Sequence, residues 1–292
     1  FMSITTQGEV EAGGIIGSSN LEGNMSNDIL QVVLNSSIKG QIIVNANGGF
    51  IGGITSIINE NSEIKANDIS ISISYQGTSD NEVKIGGIAG ISNGLTELNS
   101  ISLIIDAQSY QGNLFIGGVV GQSLEAVIKN NFSNINATIV TDQLTSYLYL
   151  GGLMGYTNGS IIENNFAYSI INANVSSYSS IGGLIGQKNG LTMTIHNIIY
   201  VNIDVIVSPT SPYSSGARYI FGGDYENQSN SSNYVIFDSS INNNSIPDDI
   251  DILSDSFVDD IEFYQVILKW EESKWILSNL NYESGVFPKP KN

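Results

Sequence analysis

A glycine pair preceded by an apolar residue recurs along most of the chain. The pairs are Gly13-Gly14, Gly52-Gly53, Gly86-Gly87, Gly117-Gly118, Gly151-Gly152, Gly182-Gly183 and Gly222-Gly223. Successive pairs are 39, 34, 31, 34, 31 and 40 residues apart. A recurring interval of this length is typical of repeat proteins in which each repeat is one structural unit. The pairs therefore predict a stack of equivalent units, with loops inserted where the interval is longer.

In four copies the pair opens a longer block of small and apolar residues. Its form is Ile85-Gly86-Gly87-Ile88-Ala89-Gly90, and it returns at residues 116–121, 150–155 and 181–186. Three glycines in six residues weaken an isolated strand, but they allow another backbone to approach closely. We therefore expect equivalent strands above and below to stabilise each copy.

A second, polar column begins 13 to 15 residues after each pair. Its members are Asn27, Asn67, Asn99, Asn130, Asn164 and, in the sixth copy, His196. Amide side chains at one corner of stacked coils can hydrogen-bond along the stack, so we expect an asparagine ladder there. The strand that follows alternates apolar and polar residues, most clearly at residues 69–74, which predicts one buried and one exposed face.

These patterns predict an all-β protein, a right-handed or left-handed parallel β-solenoid (β-helix) of about six to seven coils with a C-terminal cap. Residues 1–223 are assigned to the solenoid, with coils starting near residues 13, 52, 86, 117, 151, 182 and 222. Residues 224–292 are assigned to the last partial coil and an acidic cap. Each coil is expected to read strand, turn, strand, corner, strand, turn; two smaller turns per repeat are the alternative.

The segment GGLMGYTNGSIIENNFAYSIINANVS, which begins at Gly151, resembles the motif of the GLUG-motif repeat proteins of bacteria and protists. Copies beginning at Gly86, Gly117 and Gly182 extend the resemblance across most of residues 13–223. The family often has Cys in a column where this chain has Ile or Phe. The resemblance implies a large surface or secreted protein with an adhesive or scaffold role, and it implies no catalytic residue here.

The composition changes after residue 223. Residues 246–262 are strongly acidic and include Asp248, Asp249, Asp251, Asp255, Asp259, Asp260 and Glu262. An open solenoid end exposes strand edges and core, so we predict that this segment caps the stack. Trp270 and Trp275 are expected to cover the last coil, with a ligand platform as the alternative, and residues 261–277 to form a strand pair or a short amphipathic helix.

The acidic segment also raises the question of calcium, because clustered carboxylates are the ligands that this ion prefers. Its spacing has neither the regular loop of an EF-hand nor the nonapeptide repeat of calcium-binding solenoids. We therefore favour a solvated acidic face, with calcium as the alternative, and predict no other cofactor.

The residue types that most catalytic sites need are scarce. With one histidine and no cysteine, the chain cannot assemble a multi-histidine metal site or a Cys-His pair. No nucleophile elbow accompanies the serines, and no phosphate-binding loop lies between a strand and a helix. The acids within the predicted coils are scattered, without the vertical neighbours that polysaccharide cleavage needs. We predict that the chain is not an enzyme.

The charge balance restricts the partners. The chain has twenty-eight acidic and ten basic residues, which gives a net charge of -18. Such a surface repels nucleic acid and anionic membranes, and no apolar run approaches the roughly 20 residues that span a bilayer. We expect an extracellular or cell-surface protein whose partners are further copies, other surface proteins or glycans. Because the chain begins at Phe1 without a signal peptide, we also expect a processed or excised piece.

Two functions therefore compete. The leading prediction is a non-catalytic structural or adhesive solenoid, either a module of a larger surface protein or a subunit of a head-to-tail fibre. The alternative is a carbohydrate-binding or polysaccharide-cleaving solenoid whose exposed tyrosines stack on sugars. Those tyrosines are Tyr147, Tyr149, Tyr156, Tyr168, Tyr178, Tyr200, Tyr213 and Tyr219.

Sequons for N-glycosylation are frequent in this Asn-rich and Ser-rich chain. Asn158, Asn227 and Asn230 are the predicted acceptors for a secreted eukaryotic chain, because they lie near strand ends or in insertions. Asn131 is a poorer acceptor because it falls at the corner that we expect to be buried.

Overall fold

The chain folds into a parallel β-solenoid of about six turns. The computed structural model describes residues 2–6, 9–15, 32–77, 81–109, 111–142, 147–176, 178–208, 216–222, 233–242 and 251–291. The all-β parallel solenoid predicted from the glycine repeat is confirmed.

A complete coil contains four strands, where the sequence predicted three. In one coil they are Val83–Gly86, Ala89–Ser92, Leu95–Glu97 and Ser100–Ser109. They belong to four parallel sheets, which we call the first, second, third and long sheets in the order of the chain. The additional strand arises because the glycine block is not one strand. Gly87 and Ile88 form a bend, and the chain passes there from the first sheet to the second.

The strands of each sheet lie in register across the coils. The first sheet contains Glu9–Gly13, Gly48–Gly52, Val83–Gly86, Leu114–Gly117, Tyr147–Gly151, Tyr178–Gly182 and Gly216–Arg218. The second contains Thr55–Ile58, Ala89–Ser92, Val120–Leu124, Met154–Asn158 and Ile185–Asn189. The third contains Val32–Leu34, Glu63–Lys65, Leu95–Glu97, Val127–Lys129, Ile161–Glu163 and Met193–Ile195. The long sheet contains Met2–Thr5, Ser37–Asn45, Asp68–Gly77, Ser100–Ser109, Phe132–Thr141, Phe166–Val175, Ile198–Val207, Tyr234–Ile236, Ser240–Ile241 and Ile252–Leu253.

The glycine pairs lie in two columns. The first glycines pair in register along the first sheet: Gly52, Gly86, Gly117, Gly151 and Gly182. The second glycines follow at the bend: Gly53, Gly87, Gly118, Gly152 and Gly183. A Cβ atom on any of these second glycines would overlap a backbone carbonyl oxygen of the next coil. Glycine is therefore required for the coils to stack this closely at the bend.

The core lies between the sheets and consists of stacked apolar columns. One column of the long sheet contains Ile42, Ile73, Ile105, Ala137, Ile171 and Ile203. Each of these side chains is at most 2% exposed. Burying a side chain of this size contributes about 1.5–3 kcal/mol. Polar residues alternate with the buried ones on the outer face, as the period of two predicts.

Residues 254–291 form a strap that returns along the flank of the solenoid. The strap contains a helical turn at Asp255–Val258, a π-helical turn at Phe263–Ile267 and an antiparallel pair of strands, Trp275–Ile276 and Lys289–Pro290. Within residues 261–277, where a strand pair or a short amphipathic helix was predicted, there is only the π-helical turn and a single strand, whose partner Lys289–Pro290 lies outside the segment.

The strap covers apolar side chains that project outward where the long-sheet strands begin. Phe132, Phe166 and Ile198 join Trp270 and Trp275 in an apolar cluster that is separate from the core. The two indole rings stack with their centroids 4.2 Å apart. We therefore expect the solenoid to lose its cover on this flank if the strap detaches.

The expectation that both tryptophans cover the last coil is wrong. Trp270 Nε1 donates to the His196 carbonyl oxygen at 3.3 Å, whereas Trp275 Nε1 donates to Asn130 Oδ1 at 3.3 Å. Asn130 lies two coils before His196. The reason is that the outward apolar column extends over several coils, and the strap follows it.

Tryptophan fluorescence should report the strap alone, because both tryptophans of the chain lie in it. Trp270 and Trp275 are 2% and 1% exposed. The emission maximum of the native protein should therefore lie at a shorter wavelength than that of solvent-exposed tryptophan. In a urea titration we expect the emission to shift red at a lower concentration than the loss of the far-UV circular dichroism signal. The strap packs in its own small cluster, and such units open before the stacked core. Coincident transitions would contradict this prediction.

Candidate functional site

An unbroken asparagine ladder runs along the corner between the third and long sheets. In the described residues its members are Asn67, Asn99, Asn131, Asn165, Asn197 and Asn233. Each Oδ1 from Asn99 onward accepts the backbone N–H and the side-chain amide of the asparagine in the preceding coil, at 2.8–3.1 Å. The ladder side chains are at most 3% exposed. The buried amides thus satisfy one another and the corner backbone.

The ladder differs from the predicted column by one residue in three coils. Asn67 and Asn99 lie in it, but Asn130, Asn164 and His196 each precede the ladder residue. These three have φ angles of 55°, 56° and 54°. They occupy the left-handed backbone position that turns the corner, which asparagine and histidine adopt more readily than most residues.

Asn27 lies outside the described residues. In the first coil, the residue that faces Asn67 is Ser36, whose backbone N–H donates to Asn67 Oδ1 at 2.9 Å. Adjacent asparagines made the spacing ambiguous at Asn131 and Asn165, and His196 was taken in place of Asn197. Asn233 was missed because no column residue was predicted after the seventh glycine pair. One signal could have found them: a ladder residue always stands two positions before the first inward side chain of the long strand, as in Asn197 and Ile199.

The only histidine of the chain, His196, contributes its backbone carbonyl oxygen to a hydrogen bond with the strap. Burial lowers the pKa of the His196 imidazole, Lys269 lowers it further, and Glu163 opposes both. A lowered pKa favours the neutral ring near pH 7. His196 is therefore a neutral residue of the corner at this pH.

Charged residues alternate in a column at the end of the third sheet. Lys65, Glu97, Lys129 and Glu163 occupy successive coils. Glu97 is 5% exposed and its carboxylate lies 3.0 Å from Lys65 Nζ and 3.9 Å from Lys129 Nζ. Because Lys129 separates the two glutamates, this column does not provide neighbouring carboxylates. Its geometry is that of an ion-pair ladder, which neutralises a buried charge.

Four of the tyrosines singled out above come together with Phe115. We call Phe115, Tyr147, Tyr149, Tyr156 and Tyr178 the aromatic cluster. The ring centroids of Phe115 and Tyr149 are 5.1 Å apart, those of Tyr147 and Tyr178 are 5.7 Å apart, and those of Tyr149 and Tyr156 are 6.2 Å apart. Tyr147 is 41% exposed. The cluster forms part of the outer face of the first sheet, with Tyr156 contributed by the second.

Three of the other tyrosines lie away from the aromatic cluster. Tyr168 and Tyr200 stack with centroids 4.4 Å apart beside Phe287 and Tyr282 of the strap. Tyr219 is 5% exposed, and Tyr213 lies outside the described residues. Tyr168, Tyr200 and Tyr219 therefore do not extend the aromatic cluster.

An open pocket of about 350 Å³ lies on the same face, toward the first coils. It is lined by Glu9, Gly49, Phe50, Asn81, Glu82 and Lys84. Lys84 is only 6% exposed; its Nζ atom is 2.7 Å from Glu82 Oε2 and 5.1 Å from the ring centroids of both Phe50 and Phe115. The cation is thus held between two aromatic rings and beside a carboxylate.

Pocket and aromatic cluster are continuous. Phe50, Lys84, Phe115 and Tyr149 are successive positions of one column of the first sheet. We call the pocket and the aromatic cluster together the first-sheet face. This face combines one exposed ring, that of Tyr147, and several half-buried rings with charged and amide groups.

Burial, together with the neighbouring Tyr178, Tyr147, Tyr156 and Glu82, raises the pKa of Tyr149 to about 12. The ordinary value of about 10 applies to the unfolded chain. Because the folded state holds this proton more tightly, the resulting stabilisation is complete below about pH 10 and is lost as the pH rises through about 12. We expect the free energy of unfolding to fall less steeply across this window in Tyr149→Phe, measured by urea titration.

Below about pH 10 the pH dependence of this variant should match that of the wild type, since Tyr149 is then protonated in both states. Equal slopes above that pH would mean that Tyr149 does not titrate as the structure indicates.

The remaining predictions concern glycosylation sites, a calcium site and membrane spans. Asn158 is exposed at the end of a second-sheet strand, and Asn131 is buried. Asn227, Asn230, Asp248 and Asp249 lie outside the described residues. Within the part of the chain that is described, no group of three or more His, Cys, Asp or Glu residues is placed to hold a metal ion. No helix in that same part has the length and hydrophobicity of a membrane span.

The fold defines the class of protein as a parallel β-solenoid. No protein-family model matches the chain, and no curated protein or solved structure matches it either.

Proposed function

We propose that the chain is a non-catalytic extracellular structural and adhesive solenoid, acting as a module of a larger surface protein or as a subunit of a head-to-tail fibre. The asparagine ladder carries this proposal. From Asn67 to Asn233 it joins successive coils by buried side-chain hydrogen bonds in addition to the sheets. Hydrogen-bonded columns of this kind oppose sliding of one coil over the next, as a rigid spacer requires.

The geometry of the two ends supports assembly. In the described residues, Val32–Leu34 and Met193–Ile195 are the terminal strands of the third sheet. Parallel coils present matching strand edges at both ends, so a second copy can continue the sheets in the same direction.

Two experiments test the proposal. An antibody against the purified chain should label intact cells of the source, and labelling only after permeabilisation would contradict an extracellular role. Electron microscopy of concentrated protein tests the fibre form. We expect filaments whose subunits repeat at roughly 30 Å, since strands stack about 4.8 Å apart. Monodisperse particles at high concentration would exclude the fibre, and the chain would then act as a module of a larger protein.

A further inference from the structure

We propose that the first-sheet face is a saccharide-binding site, with the pocket as a subsite for one neutral pyranose ring and the aromatic cluster as a platform for the following rings. This inference deepens the proposed adhesive role and rests on it, because it names the ligand class that such a surface would hold.

The pocket combines the groups that a sugar requires. The Phe50 ring supplies an apolar surface for the C–H face of a pyranose, while Glu82 and Lys84 place an acceptor beside a donor for neighbouring hydroxyls. Glu9 and Asn81 add further hydrogen-bonding groups to the lining. Its volume of about 350 Å³ falls within the range of small-molecule sites.

The pocket is also preorganised. Lys84 is held in place by the Glu82 carboxylate and by the rings of Phe50 and Phe115. A side chain that is already ordered loses little conformational entropy when a ligand binds. Gly49 reaches a φ of 126°, and a Cβ atom there would overlap backbone atoms of Val10. Glycine therefore allows the pocket wall to follow the sheet closely.

The column extends the site along the coil axis. Phe115 and Tyr149 follow Lys84 in the next two coils, at intervals of about 4.8 Å. Tyr147 is 41% exposed beside them, and Tyr156 and Tyr178 are half-buried. Phe115 is only 6% exposed, so an oligosaccharide that enters the pocket and lies along the axis meets mainly the rings and phenolic hydroxyls of the tyrosines beyond it.

Charge selects a neutral ligand over an acidic one. The pocket lining carries Glu9 and Glu82, and its single cation, Lys84, is already paired with Glu82. The whole chain has a net charge of -18. A uronic acid, sulfate or phosphate group is therefore repelled, both at the pocket and during approach.

The test uses the purified chain with cellopentaose, maltopentaose and mannopentaose as neutral probes and trigalacturonate as the acidic probe. Binding is measured by ligand-observed NMR and calorimetry. We expect at least one neutral probe to bind and trigalacturonate not to bind. Phe50→Ala removes the stacking ring, and Glu82→Gln replaces a charged acceptor with a weaker, neutral one, so each should raise the Kd by about tenfold. Phe50→Tyr, which keeps the ring, should bind like the wild type.

Phe257→Ala and Glu60→Gln are the matched controls, since both side chains are exposed and lie outside the first-sheet face. Circular dichroism confirms that each variant is folded, and Glu82→Gln with Phe50→Tyr keeps the test decisive if Phe50→Ala does not fold. The inference is overturned if no neutral probe binds, if the acidic probe binds equally well, or if neither Phe50→Ala nor Glu82→Gln raises the Kd of the neutral probe. Surface labelling of intact cells without sugar binding overturns this inference alone, whereas absent surface labelling overturns the proposed function.

Discussion

Replacing Asn165 with alanine is expected to lower the free energy of unfolding by about 3–5 kcal/mol, because several buried hydrogen bonds are lost together. Asn165 Oδ1 accepts two hydrogen bonds from Asn131, and its Nδ2 donates to Asn197 Oδ1 and to two backbone carbonyl groups. All of these partners lie at a corner that excludes water, so the substitution leaves buried polar groups unsatisfied. Urea titration followed by circular dichroism measures the loss.

The adjacent Asn164 is the matched control. It has the same side chain, but it occupies the corner position with a φ of 56° and its Oδ1 has no hydrogen-bond partner. Alanine already occupies the equivalent corner position of an earlier coil, where Ala66 has the same left-handed backbone with a φ of 56°. We therefore expect Asn164→Ala to cost only about 1–2 kcal/mol, mainly through the left-handed backbone. Equal losses at positions 164 and 165 would show that the ladder does not stabilise the stack.

Gly118→Ala is expected to prevent folding or to cost more than about 3 kcal/mol, because the close stacking at the bend has no room for a methyl group. The new Cβ atom would overlap the carbonyl oxygen of Gly152 in the next coil and the hydroxyl of Ser133. The carbonyl belongs to a backbone fixed by the sheets, so it has little freedom to move. The change also displaces the bend that separates the first and second sheets.

Gly40→Ala provides the comparison for this substitution. Gly40 lies in the long-sheet strand Ser37–Asn45, and a Cβ atom there would meet nothing within 4 Å. Alanine should stabilise the fold by about 0.4–1 kcal/mol, because it reduces the conformational entropy of the unfolded chain. Soluble yield and the urea midpoint distinguish the two outcomes. A Gly118→Ala protein as stable as the wild type would mean that the coils are not stacked through their glycines.

Part of the candidate site was visible in the sequence. Tyr147, Tyr149, Tyr156 and Tyr178 were predicted to be exposed; Tyr147 is, whereas the other three are half-buried. Nothing local indicated that Phe50 and Lys84 share their face. These residues come from different coils, and they meet because one position of the first sheet is repeated every coil. The ladder was placed at the right corner but one residue early in three coils, since asparagine suits both the left-handed turn and the ladder.

The repeat period and the inward alternation of the long strands were determined by the sequence itself, because glycine pairs and apolar residues impose stacking and burial wherever they recur. The tertiary structure alone decided the division of the glycine block at Gly87 and Ile88, the path of the strap and the assembly of the first-sheet face. Each of these depends on contacts between residues far apart in the chain, as between Trp275 and Asn130. A local pattern indicates which apolar side chains must be buried. Which distant residues bury them is decided by the packing of the whole fold.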